Sequence, residues 1–204
     1  MAPGHPNARL EAFCDGVFAI AATLLVVDLR VPAAQRVDSA ATLWLELLRL
    51  GPALLAFILS FTVIFITWMN HHATLKLIDE SSPWFVYANG FLLLTVAFVP
   101  FPTTLLGEYV SSSNATPAVA VYNAVLAAQG AAWVLVCRTA VAKGLATNDR
   151  TAATLRMNGR YGFGALVLYS LLAVMALWLP HVAVGITAAT WVFWLIHGAR
   201  LKAA

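Results

Sequence analysis

Four stretches of the chain run long without Asp, Glu, Lys or Arg: residues 50–75, 81–107, 109–137 and 161–199. A helix crossing a bilayer needs about 20 mostly apolar residues, so each can hold one span. The last can hold two, separated by the hairpin signal Pro180-His181. Residues 12–29, broken only by Asp15 and Asp28, supply another. The pattern predicts an all-α, integral membrane six-helix bundle, with spans near 10–30, 51–74, 84–106, 117–139, 162–179 and 182–199 in a single domain covering 1–204.

Between the first two spans, Ala40 to Leu50 has helical periodicity with two charges and ends at Gly51-Pro52. It reads as an amphipathic helix anchored at the outer interface. The third span closes on Pro100-Phe101-Pro102, where two prolines must kink or end the helix. The fourth is rich in small residues, with Ala120, Ala124, Ala127, Ala128, Gly130, Ala131 and Ala132 predicting close helix packing and no ligand cleft. Trp84, Phe85, Tyr87, Trp178, Trp191 and Trp194 are expected as interfacial or lipid-facing aromatics. The polar stretches 30–49 and 138–161 are too short for a soluble domain, and no repeat is present.

Composition agrees with a polytopic membrane protein: 61% of residues are hydrophobic and only 10% charged. Six spans put both termini on one side. That side would collect Arg9, Lys76, Arg138, Lys143, Arg150, Arg156, Arg160, Arg200 and Lys202, against Arg30, Arg36 and Arg49 on the other. Nine against three predicts both termini in the cytoplasm. A leader cleaved near Ala33-Ala34 is the competing reading; Asp15 sits badly in such a segment, and five remaining spans would spoil the charge asymmetry. Cys14 and Cys137 predict no structural disulfide and have no metal-site spacing.

Inside the first span, the string Phe13-Cys14-Asp15-Gly16-Val17-Phe18-Ala19-Ile20-Ala21-Ala22-Thr23-Leu24-Leu25 carries a carboxylate and a hydroxyl where lipid makes both costly. At about 100° per residue, Ile20, Thr23, Leu24 and Val27 share one stripe, while Asp15 falls with Ala19 and Ala22 on another. The small face is expected to pack against neighbouring helices. The branched face is left for lipid, a helix or a pore, and a lone Thr23 ordinarily bonds back to the Ala19 carbonyl.

At the same depth as Asp15, the second span ends in Trp68-Met69-Asn70-His71-His72. A Trp68–Asp15 or His71–Asp15 hydrogen bond would satisfy groups that lipid cannot. Metal or haem ligation by the histidines is the weaker reading, since adjacent residues point about 100° apart on a helix. Glu108 is expected at the outer edge, solvated, with cation attraction as a secondary role.

Arg9, the string from Phe13 to Leu25, the Trp68 to His72 segment and the Pro100 to Tyr109 segment together resemble the prokaryotic relatives of the lysosomal potassium channel called transmembrane protein 175. The specific motifs cover the first three spans. The resemblance implies a potassium-selective leak-type channel, a homotetramer in the cell membrane of a prokaryote, with four first helices lining the pore. By position, Ile20, Leu24 and Val27 would form the hydrophobic constriction and Thr23 the selectivity ring. Arg9, Asp15, Trp68, Asn70 and His71 would form the polar network holding the pore helix. No cofactor, metal or nucleic acid is implied, only permeant potassium. Cys14 stands where the family usually has serine, a weaker hydrogen-bonding group in that network, and Val27 stands where leucine is frequent, which implies a wider outer ring.

Two other functional classes compete with this reading. A proton-coupled secondary transporter would use Asp15 and His71 as a relay, but the sequence has no internal repeat and no paired broken helices. An enzyme would need a nucleophile and base, a metal-ligand pair or a nucleotide motif; none is apparent, so no enzyme activity is expected.

Overall fold

A computed structural model describes residues 7–200, with side chains through Trp191. The side chains of Trp194 and Arg200, and all of Lys202, lie outside the described residues. Among the described residues there are eight α-helices, one 3₁₀ turn at Ala34–Arg36 and no strand beyond an isolated bridge. The helices are α1 (Ala8–Val27), α2 (Ala40–Arg49), α3 (Gly51–Leu75), α4 (Pro83–Phe98), α5 (Pro100–Tyr109), α6 (Ala115–Ala142), α7 (Asp149–Met175) and α8 (Pro180–Arg200). Among the described residues, four segments are long and apolar enough to cross a membrane: Ala8–Val27, Gly51–Leu75, Pro83–Tyr109 and Ala115–Ala142.

The paired prolines act more gently than the sequence suggests. α4 stops at Phe98 and α5 starts at Pro100, with Val99 between them in right-handed helical geometry. The Val99 amide bonds to the Val96 carbonyl at 3.1 Å and the Thr103 amide to the Val99 carbonyl at 3.2 Å, so backbone pairing resumes across the proline pair. Proline is tolerated in a helix's first turn because the amides there lack an intrahelical partner anyway.

Helix starts follow their capping residues. Ser82 Oγ accepts the Phe85 amide at 3.2 Å, and Asn148 and Thr151 form a reciprocal capping box. Gly144 ends α6 at φ +65°, the left-handed region that suits glycine, and lets the Leu145 amide reach back to the Ala140 carbonyl at 3.0 Å. The α3–α4 and α6–α7 turns then meet edge to edge. The Asp79 amide donates to the Leu145 carbonyl and the Thr147 amide to the Leu77 carbonyl, both at 3.2 Å. Asn7 Nδ2 joins this end through the Glu80 carbonyl at 3.1 Å.

Small residues decide the closest helix pair. An added Cβ on Gly130 of α6 would lie 2.8 Å from the Leu166 amide nitrogen, and one on Gly162 of α7 would lie 2.8 Å from Trp133 Cδ1. Gly130 thus works in packing within the subunit, as the composition predicts, but it also lines a cavity of about 170 Å³ between these helices, where no cleft was expected. Toward the opposite end, buried polar groups tie helices together. Thr103 Oγ1 donates to Ser60 Oγ at 2.6 Å, which pairs with the Tyr122 hydroxyl at 3.0 Å, joining α5, α3 and α6. Thr187 Oγ1 donates to Asn123 Oδ1 at 2.7 Å, joining α8 to α6.

α2 stands apart. Ser39 Oγ caps it by accepting the Thr42 amide at 3.1 Å, and the Thr42 hydroxyl bonds to Asp38, holding that exposed carboxyl below its ordinary pKa. No residue of α2 is buried, and Trp44 and Leu48 are among its most exposed side chains.

Candidate pore face and its polar brace

α1 buries Cys14, Phe18, Ala21 and Leu25, a stripe with spacings of four, three and four. They pack on Ile64 of α3 and on Leu93, Val96 and the Val99 junction at the end of α4. This corrects the expectation that α1 docks through Asp15, Ala19 and Ala22: Ala19 is exposed, and Asp15 and Ala22 are half-buried. The reason is area, since burying Phe18 and Leu25 removes far more apolar surface from solvent than burying two alanines.

About 140° around the helix from the buried stripe, the predicted branched face is left uncovered by the subunit. Ile20 is 61% exposed, Leu24 46% and Val27 71%. Phe13, 65% exposed, lies two turns before Ile20 on the same face, a placement that a seven-residue spacing predicts and the sequence reading passed over. Thr23 sits among them with its hydroxyl directed to its own helix, 2.9 Å from the Ile20 carbonyl and 3.1 Å from that of Ala19. Its proton is thereby committed to the backbone. The oxygen lone pairs remain for whatever faces the stripe.

Two polar rungs join α1 to α3. Trp68 Nε1 donates to Asp15 Oδ1 at 2.7 Å, and one turn away His72 Nδ1 lies 2.8 Å from Glu11 Oε1, a close polar contact that is out of hydrogen-bond alignment. The helices run antiparallel, so Glu11 and Asp15, four residues apart, meet His72 and Trp68, also four apart. Trp68 and His72 stack at 6.1 Å between ring centroids. Glu11 and His72 carry a signal the sequence reading missed, a second acid–aromatic pair in register with the first.

The other named residues go elsewhere. His71 is buried and its Nε2 lies 2.8 Å from Asn89 Oδ1, while Asn89 Nδ2 donates to the Phe85 carbonyl at 2.8 Å. The amide orientation leaves Oδ1 toward the ring, so Nε2 is the donor. His71 supports α1 through its ring, 5.5 Å from that of Phe18, and makes no bond to Asp15. With Asp15 on Trp68 and His71 on Asn89, the relay between these two residues has no direct link. Asn89 had no signal within its apolar run. Asn70 turns away from α1 into a cavity of about 170 Å³, lined also by the bonded pair Thr67 and Gln129. Arg9 is exposed and makes no ion pair or side-chain hydrogen bond among the described residues. Near the other end of α1, Asp28 Oδ2 accepts from Thr104 Oγ1 of α5 at 2.6 Å.

Trp68→Phe removes the donor and leaves a half-buried carboxylate. A hydrogen bond to a charged group is worth about 1.5–3 kcal/mol and the average in membranes is nearer 0.6, so the expected loss is about 1–2 kcal/mol. The thermal midpoint of the purified protein should fall accordingly, with Asp15→Asn, which keeps an acceptor, falling less. Equal midpoints for Trp68→Phe and wild type would show that this rung carries no stability.

The family model for the endosomal/lysosomal potassium channel TMEM175 matches residues 9–100. A potassium channel of Chamaesiphon minutus is 37% identical over 182 residues, 85% of this chain and 87% of that one. A potassium channel of Streptomyces collinus is 41% identical over 130 residues, 63% of this chain and 62% of that one. The crystal structure of a lysosomal potassium-selective channel TMEM175 homolog from Chamaesiphon minutus superposes with a TM-score of 0.82 at 34% identity, covering 94% of this chain and 97% of that one.

Proposed function

Because the chain belongs to the TMEM175 family of potassium channels, we propose that it is itself a potassium-selective leak-type channel whose first helices line the path. The observation that carries this is the face of α1. A helix that packs one side into its subunit and leaves Ile20, Leu24 and Val27 bare on the other, with one hydroxyl among them, needs that side covered by something. In a homotetramer of six-span subunits, four such faces converge on an axis. Both termini are then cytoplasmic, in the cell membrane of a prokaryote, as the distribution of Lys and Arg favours.

The mechanism follows from the side chains. Rings of Ile20, Leu24 and Val27 exclude water when the helices are close, and a small outward rotation wets the constriction and admits ions. Thr23 supplies oxygens whose protons already belong to the helix, so its ring offers acceptors to a cation and no donors to an anion. The Asp15–Trp68 and Glu11–His72 rungs hold α1 from outside the path. No cofactor is required; potassium is the permeant species.

Liposomes containing the purified protein and an outward potassium gradient should lose potassium with no pH gradient or co-substrate, and should pass sodium more slowly. Absence of flux with either cation removes the channel reading. Flux that requires a proton gradient replaces it with a coupled transporter.

A further inference from the structure

The α6–α7 pair carries a second feature that the conduction path does not use. Near the turn joining the two helices, a groove of about 460 Å³ opens between them, lined by Arg138 of α6 and by Arg156 and Arg160 of α7, with Val134 and Phe163 beside them. All three arginines are exposed, and none takes part in an ion pair or hydrogen bond among the described residues. Three unpaired guanidinium groups on one groove repel one another, and an anion relieves that repulsion.

We propose that this groove binds the phosphate of an anionic lipid. Depth is the argument for a lipid. The first turns of α7 carry Asp149, Arg150, Arg156 and Arg160, and from Tyr161 to Met175 the helix has no charged residue. On α6, Arg138 is the one charged residue between Ala115 and Ala142. The two helices touch where an added Cβ on Gly159 would lie 3.3 Å from Cys137 Cβ, which puts Arg138 level with the polar-to-apolar boundary of α7. Phe163, one turn into the apolar part, is 58% exposed beside the groove and offers an acyl chain a surface directly beyond the phosphate. A basic groove between spans on the Lys- and Arg-rich side fits an anionic headgroup. The site rests on the membrane embedding of α6 and α7, and not on conduction.

The test is native mass spectrometry of the full-length protein with phosphatidylglycerol, with phosphatidylcholine of the same acyl chains, and with inorganic phosphate as competitor. Wild type should retain phosphatidylglycerol and shed phosphatidylcholine. Arg156→Gln/Arg160→Gln should weaken retention about 25-fold, at about fivefold per basic residue near a membrane surface, and Arg138→Gln alone about fivefold. Arg30→Gln/Arg36→Gln, at the other end of the fold, should change nothing. A photoactivatable phosphatidylglycerol should crosslink wild-type peptides spanning 134–141 and 155–163, a readout that survives if a variant fails to fold. Equal retention of phosphatidylcholine, crosslinks confined to other helices, or unchanged retention in the arginine variants overturns the proposal. Displacement of the lipid by millimolar inorganic phosphate overturns the lipid assignment and leaves a free-phosphate site. A groove closed by a neighbouring copy would show neither binding nor crosslinks, which also overturns it.

Discussion

Ile20→Asn is expected to raise potassium flux through reconstituted protein by about tenfold or more, the effect of removing some 1.4 kcal/mol from a barrier. An apolar ring resists ions because it offers no group to replace the water an ion sheds, and an amide at that position supplies both a donor and an acceptor. Ile20 is suited to the role by its face and its freedom: it is 61% exposed, shares a stripe with Leu24 and Val27, and makes no part of the α1 core. Folding should therefore be nearly unaffected. Leu171→Asn on α7, at an equally exposed site of 63%, controls for a polar group placed anywhere on the surface and should leave flux unchanged. If Ile20→Asn assembles normally and conducts like wild type, Ile20 does not line the constriction. Selectivity over sodium should also narrow, because a hydrated ring passes partly hydrated ions of either kind.

The largest effect on stability is expected at Gly130. Gly130→Leu puts a Cβ 2.8 Å from the Leu166 amide nitrogen and 3.1 Å from the Gly162 carbonyl, both backbone atoms that no rotamer change can move aside. Overpacking of flexible side chains costs about 1–3 kcal/mol. With backbone on the far side the cost should be about 3 kcal/mol or more, or roughly 10 °C in thermal midpoint for a domain of this size. Trimming the neighbour should not help: Leu166→Ala combined with Gly130→Leu should stay as unstable as Gly130→Leu alone. Gly164→Ala, where an added Cβ meets nothing within 4 Å, should be neutral or mildly stabilising. Rescue by Leu166→Ala would mean that the contact is one of side chains and that α6 and α7 approach less closely.

The exposed face of α1 was legible in the sequence because it obeys a single period. Ile20, Thr23, Leu24 and Val27 are an i, i+3, i+4, i+7 set, and the subunit leaves that set uncovered. The opposite face was misjudged for a related reason. Small residues were given weight as packing residues on α1, as they deserve on α6, yet Phe18 and Leu25 dominate there by size. The polar brace was legible only in part. Trp68 and Asp15 announce themselves as polar groups at one depth, and they meet. Asn70 shares that depth but not the face, since two residues on a helix turn about 200°. Asn89, which takes His71, is a lone amide in an apolar run and can be assigned only once α3 and α4 are packed together. Span counting reached its limit at α7, whose first turns are polar enough to project beyond an apolar slab while the rest is not.

The free-standing α2 has a consequence for how this chain folds. Ten residues, even with a Ser39 cap, make a helix too short to persist alone in water. The subunit leaves most of its apolar side bare, since none of its residues is buried. Whatever surface receives Trp44 and Leu48 is therefore a part of the fold of α2. For this segment, detachment from that surface and unfolding are one event, and the link between α1 and α3 changes length whenever it happens.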